Sequence, residues 1–161
     1  ETGPKWCEKI ANGEKTIEVR KTRPRLKTPF KCYIYCTLPK YPHEDFIATD
    51  YPSPQFYGGG KVIGEFTCER IALIAYDGGE LSSTTNAAFS PATCLTRSEI
   101  IAYIGDKGRC YGWHMSNLRI YDTPRELSEF TGLRDTRFGA APYDIKRAPQ
   151  SWCYVEAIDN G

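Results

Sequence analysis

Apolar residues in this chain are grouped in short alternating runs, and that alternation limits the possible folds more than any other feature of the sequence. Side chains at successive strand positions point to opposite faces, so a period of two marks a half-buried strand. In the run at 16–21, Ile17 and Val19 face one way while Thr16, Glu18 and Arg20 face the other. At 30–37, Cys32, Ile34 and Cys36 share one face and Tyr33 and Tyr35 the opposite one. Val62, Ile63, Phe66, Ile71, Leu73 and Ile74 gather around Gly64, which predicts either a strand pair or one long bent strand. Between Cys110 and Tyr121 the alternation slips, and the slip predicts a strand with a bulge near Ser116 or Asn117. A closing strand is expected at 151–158.

Helical signals are few and short. Pro4 is followed by Trp6, Cys7, Ile10 and Ala11 at helical spacing, with Gly13 placed to stop the turn. Thr96 and Glu99 form a capping-box pattern ahead of Ile100, Ile101 and Ile104, and Gly105 ends that helix. A brief third helix is expected from Thr123-Pro124-Arg125-Glu126. Asp77-Gly78-Gly79 reads as a turn, and 22–29, 38–60, 82–93 and 131–149 read as loops. The expected fold class is α+β: a small mixed or antiparallel β-barrel with short flanking helices. No βαβ unit repeats and no glycine-rich phosphate loop is present, which argues against a doubly wound nucleotide-binding fold. The length of 161 residues suits a single domain over 4–161. Glu1-Thr2-Gly3 is read as a vector-derived remnant.

The formal net charge is +1, so any affinity for nucleic acid must be local. Between 15 and 31 the chain carries Lys15, Arg20, Lys21, Arg23, Arg25, Lys27 and Lys31 against the single acid Glu18, a candidate basic patch whose plain alternative is a solvated strand and loop. Seven cysteines cannot all pair, and none is spaced as C-x-x-C. Free thiols in that number fit a reducing, cytoplasmic setting. With two histidines, His43 and His114, and no ligand spacing, no metal and no cofactor are expected. No run approaches the ~20 apolar residues of a membrane span.

The segment Asn12-Gly13-Glu14-Lys15-Thr16-Ile17-Glu18-Val19-Arg20 is the most informative chemically. A helix stop brings Lys15 to the base of a strand whose polar face then shows Glu18 and Arg20. A lysine beside a carboxylate can hold a phosphate, orient a carbonyl or transfer a proton if burial lowers its pKa. The plain alternative is a surface ion-paired strand worth ~0–1 kcal/mol.

The pattern Gly13-x-Lys15-x-x-Glu18-x-Arg20, after a short N-terminal helix and at the start of a strand, resembles the signature of ASCH domains, a branch of the PUA-like superfamily. Lys-Val-Ile-Gly-Glu-Phe at 61–66, Tyr-Gly-Trp-His at 111–114 and Pro-Gln-Ser-Trp-Cys-Tyr-Val at 149–155 resemble a bacterial and phage subgroup in the same order. The resemblance implies a PUA-like barrel with a cleft beside the motif, and a strand before the first helix that this sequence begins too late to contain in full. It also implies binding of RNA or of modified nucleotides. One small bacterial ASCH protein deacetylates N4-acetylcytidine with a lysine and a threonine nucleophile; Lys15 matches the lysine, while Glu18 stands where the threonine would be. A carboxylate is a poor substitute for a hydroxyl in acyl transfer. A ribonuclease-like reaction would instead use Lys15 and Arg20 on phosphate charge and Glu18 or His114 on protons.

Candidate ligand-binding residues are therefore Lys15, Glu18, Arg20, Trp113, His114, Ser116, Gln150, Ser151 and Trp152, with Lys15 and Glu18 catalytic if a reaction occurs. Trp113, His114, Trp152 and Tyr154 offer aromatic faces for bases, against the plain alternative of core packing. The leading expectation is an RNA- or nucleotide-binding module. A hydrolase acting on an acylated nucleoside or on RNA is the alternative, and a protein-interaction role through the aromatic stretch 41–57 is a third.

Overall fold

The computed structural model describes residues 4–37 and 59–158. The predicted loop 38–60, apart from its last two residues, and the whole stretch 41–57 lie outside the described residues.

Helix α1 (Pro4–Ala11) opens the chain and buries Cys7 and Ile10. Strand β1 (Ile17–Arg20) follows, then β2 (Phe30–Cys36), β3 (Lys61–Asp77) and β4 (Glu80–Ser83). Two short 3-10 turns (Asn86–Phe89 and Pro91–Thr93) lead into helix α2 (Arg97–Ile104) and strand β5 (Arg109–Arg125). A further 3-10 turn (Leu127–Glu129) precedes β6 (Thr131–Thr136), β7 (Gly139–Asp144) and β8 (Tyr154–Val155). Strands β1, β5, β3 and β2 lie in that order in one sheet, with β4 also paired to β3; β7, β6 and β8 form a second sheet. The β1–β5, β3–β4, β6–β7 and β6–β8 pairs are antiparallel.

Of the described residues, 9–32 and 65–119 make one compact unit, and 4–8, 33–37, 59–64 and 120–158 make another. The first has its core where Ile17 and Val19 of β1, Ala72 and Ile74 of β3, and Ile100 and Ile104 of α2 meet. The second packs Val62, Tyr121, Phe130 and Ile145 together with the partly buried Tyr33, Tyr35 and Tyr143.

Most elements form where their local chemistry directs. Thr96 accepts from the Glu99 amide at 3.2 Å, and the Glu99 carboxylate accepts from the Thr96 amide at 2.7 Å, so the capping box at the start of α2 is complete. Gly78 and Gly79 both adopt positive φ, 55° and 86°, between the paired Asp77 and Glu80, the geometry of a two-residue hairpin. The long β3 is one strand rather than a pair, and the expected slip in β5 is a left-handed Asn117 at φ 49°.

Four segments differ from expectation, the first being the closing strand, which was expected over 151–158 and is confined to Tyr154–Val155. The predicted loop at 131–149 contains the β6–β7 hairpin, turning at Arg137-Phe138 with Gly139 at φ 104°. Pro142 hides this strand from a propensity argument, but β7 is at the edge of its sheet, the position in a sheet where proline is tolerated. The loop at 82–93 is tightened into the two 3-10 turns, capped by the hydroxyls of Thr85 and Ser90. The third helix begins later than Thr123, because β5 runs through Pro124 to Arg125 and Glu126 caps a single 3-10 turn.

Candidate functional site

The motif segment is held by a chain reversal just after α1. Gly13, at φ 83°, takes the left-handed conformation that glycine adopts at least cost, and its amide donates to the Ile10 carbonyl at 3.1 Å. Glu14 closes the outside of the turn, accepting from Lys9 Nζ at 3.0 Å and from Asn12 Nδ2 at 2.9 Å. The Lys15 amide donates to the Lys9 carbonyl and the Thr16 amide to the Ala92 carbonyl, both at 2.9 Å. With its backbone pinned on both sides, Lys15 directs its side chain inward, where it is 4 % exposed.

There the Lys15 ammonium donates to the Thr93 carbonyl at 2.6 Å and lies 3.6 Å from Glu18 Oε2. Arg20 Nη2 meets the other oxygen of the same carboxylate, Oε1, at 3.0 Å. Glu18 and Arg20 are mostly covered too, with side chains 14 % and 12 % exposed. The three charges are therefore one partly desolvated cluster, in which Coulomb attraction is stronger than at an open surface. Burial lowers the Lys15 pKa from its ordinary value, and the Glu18 carboxylate pulls it part of the way back. Glu18 Oε2 is buried and accepts no hydrogen bond.

Residues far along the chain complete this cluster. The Thr93 carbonyl is fixed by a tight turn in which the Thr93 hydroxyl donates to the Ser90 carbonyl at 3.1 Å and accepts from the Leu95 amide at 3.2 Å. Tyr103 of α2 stands beside Arg20 and Glu18, and burial raises its phenol pKa. Lys21 Nζ lies 5.2 Å above the Tyr103 ring, a cation–π contact that ties the end of β1 to the helix. Neither Thr93 nor Tyr103 was identifiable from spacing, since each is more than seventy residues from the motif and only the fold brings it there.

The β1–β5 register decides which aromatic neighbours join the cluster. Glu18 is opposite Trp113 and Ile17 is opposite His114. Directly opposed residues share a face, so Trp113 is on the side of Glu18, and His114 is on the opposite side with Ile17. Trp113 is 6 % exposed and packs edge-on against Phe30 at 5.9 Å between centroids. On the other face, His114 Nε2 lies 3.1 Å from the Thr85 hydroxyl, which also accepts from the Ala87 amide at 3.1 Å. Ser116 Oγ reaches the Thr67 carbonyl at 3.5 Å. Gln150, Ser151 and Trp152 belong to the other compact unit, where Trp152 meets Tyr154 edge-on at 5.2 Å. Among the described residues, no group of three or more His, Cys, Asp or Glu side chains is arranged to hold a metal ion.

Burial lowers the His114 pKa, the Arg70 guanidinium lowers it further, and Glu69 opposes both. The folded protein therefore binds fewer protons here than the unfolded chain just below pH 6.5, so this group's stabilisation is present above 6.5 and lost as pH falls through the depressed folded value. Arg70→Gln is expected to raise the His114 pKa without restoring it fully, because burial is the larger cause. An NMR titration of the imidazole protons checks this, and an unmoved midpoint would remove Arg70 from the account.

Two solved structures share this arrangement of helices and strands. The chain has the fold of an ASCH domain. The crystal structure of ASCH from Zymomonas mobilis superposes with a TM-score of 0.53 at 18% identity, over 79% of this chain and 73% of that one. A tyrosine-to-phenylalanine mutant of the Zymomonas mobilis protein gives 0.53 at 16% identity, over 80% of this chain and 81% of that one. No family model and no curated protein matches the sequence. On this ASCH fold, Lys15, Glu18 and Arg20 occupy the turn after α1 and the sheet's terminal strand, β1. No helix among the described residues is long and apolar enough to cross a membrane.

Proposed function

We propose that the chain is an RNA- or nucleotide-binding module of the ASCH type, built on a PUA-like barrel, with its ligand meeting the cluster of Lys15, Glu18 and Arg20. The observation that carries this reading is the Glu18 carboxylate. One oxygen is engaged by Arg20 at 3.0 Å, while the other is buried with no hydrogen bond and only a 3.6 Å approach from Lys15. Buried acceptors are almost always satisfied, so one left open within a charged cluster suits a donor brought by a ligand. A carboxylate accepts well from the exocyclic amino group of cytosine. The cations of β1 and of the segment after it supply the complementary attraction for phosphate. The fold likeness to ASCH supports the same reading by analogy only, since one fold hosts many functions.

The test is fluorescence polarisation with a labelled mixed-sequence single-stranded RNA at low salt, with cytidine and uridine as competitors. Wild type is expected to bind saturably, and Glu18→Gln to weaken binding by about tenfold, one carboxylate–base contact being worth ~1–3 kcal/mol. Lack of saturable binding by wild type would reject the proposal. Hydrolysis is the second reading, favoured by the lowered Lys15 pKa beside a carboxylate. Chromatography of N4-acetylcytidine and of RNA after incubation decides it, and turnover that survives both Lys15→Ala and Glu18→Gln would place the chemistry elsewhere.

A further inference from the structure

The segment that leaves β1 for β2 carries Lys21, Arg23, Arg25 and Lys27 and no acid. Arg23, Pro24, Arg25, Leu26, Lys27 and Thr28 line an open hollow of about 660 Å³. Arg23, Arg25 and Lys27 are exposed, and the sequence contains no acid between Glu18 and Glu44. Leu26, 45% exposed, adds an apolar patch to the same wall. Both ends of the segment are anchored. Arg20 is ion-paired inside the fold and Lys21 lies over Tyr103 at one end, while Phe30 packs against Trp113 at the other. Pro24 and Pro29 fix backbone φ within it, so the chain loses less freedom when a ligand orders it.

Like charges gathered in one concavity repel each other, and a bound polyanion relieves that repulsion while releasing its own counterions. The three cations occupy alternate positions, so neighbouring Cα atoms in the series are at most about 7 Å apart. One phosphodiester strand can therefore meet all three at once. Arginine adds planar donors that match phosphate oxygens in pairs, and the exposed leucine gives a base or sugar an apolar surface to rest on.

We infer that the Arg23–Thr28 hollow is a phosphate-binding track for single-stranded RNA, separate from the Glu18 cluster and setting the salt dependence of binding. This inference rests on the proposed RNA-binding function. The track carries affinity without sequence preference, whereas the carboxylate reads the base.

The experiment measures the affinity of a labelled mixed-sequence single-stranded RNA across a salt series by fluorescence polarisation. It compares wild type, the triple variant Arg23→Gln/Arg25→Gln/Lys27→Gln, a charge-matched control Lys107→Gln/Arg109→Gln/Arg137→Gln, and Glu18→Gln. For single strands the slope of log affinity against log salt is about 0.7 per neutralised phosphate, so the track triple is expected to flatten it by about 2. The control triple and Glu18→Gln should leave the slope unchanged. Thermal melts should show both triple variants as stable as wild type, because the substituted arginines and lysines are surface residues, and binding by Glu18→Gln is read at a temperature where its own melt shows it folded. Saturable wild-type binding with an unchanged slope in the track triple would overturn the track and leave the Glu18 reading standing. An equal flattening in the control triple would also overturn it, by showing diffuse attraction. Wild type that binds no RNA overturns both.

Discussion

Replacing Glu18 by leucine is expected to lower stability by about 3 kcal/mol at neutral pH, the lower end of the ~3–5 kcal/mol lost when one partner of a buried ion pair is removed. Lys15 is the reason. Its ammonium is buried, and burial already disfavours the charged form; the Glu18 carboxylate is the largest influence working the other way. Without it the ammonium keeps the neutral Thr93 carbonyl but loses the opposing charge, and must either remain charged at a cost or give up its proton. For a chain of this length the loss corresponds to a fall in Tm of roughly 6–12 °C.

The same linkage fixes the sign of the pH response. Because the folded pKa of Lys15 lies below 10.5, the unfolded chain holds more protons in the window just beneath 10.5, and stability there rises with pH. Removing Glu18 lowers the folded value further and widens that window downward. The variant is therefore expected to recover stability on alkalinisation more steeply than wild type. Adding Lys15→Met should restore part of the loss at neutral pH, since no uncompensated ammonium is left behind. Urea denaturation at several pH values measures all of this, and a Glu18→Leu protein as stable as wild type would show that Lys15 does not depend on this carboxylate.

Ile74→Ala is expected to cost roughly 2–5 kcal/mol, and Leu73→Ala, one residue away, less than about 1 kcal/mol. Ile74 is fully buried in β3 and belongs to the core that holds β1 in place through Ile17 and Val19. Gly112 of β5 faces the same core: a Cβ at that position would stand 3.2 Å from both Ala87 Cβ and Ile17 Cγ2, tighter than ordinary contact, and 3.5 Å from Ile74 Cδ1. Truncating Ile74 would open a cavity where three strands converge, and close packing allows little collapse. Leu73 points the other way and is 38% exposed. Thermal or urea unfolding of the two variants checks the contrast, and equal costs would mean that the faces of β3 are misassigned.

Strand faces were legible in the sequence because alternation is a local property. Ile17, Val19, Ile34 and Cys36 are buried as the period of two requires, and the capping box and paired glycines mark α2 and the β3–β4 turn through bonds a few residues long. The β6–β7 hairpin was not legible, because Pro142 and the small residues Ala140 and Ala141 carry no strand preference of their own and pair only once β6 is beside them. The Gly13–Arg20 motif was visible as a spacing, which identified Lys15, Glu18 and Arg20 as neighbours without showing that the cluster is buried.

What the sequence determined by itself were the alternating faces, the helix caps and the charge of the segment after β1, all set by residues within a turn of one another. Tertiary structure alone decided that the Thr93 carbonyl caps the Lys15 ammonium, that Tyr103 stands beside Arg20, and that His114 is on the face opposite Glu18. These depend on strand register and on contacts between residues far apart in the chain. Local propensity has no term for either, because their energy arises only after the loop-closure entropy of bringing distant segments together has been overcome.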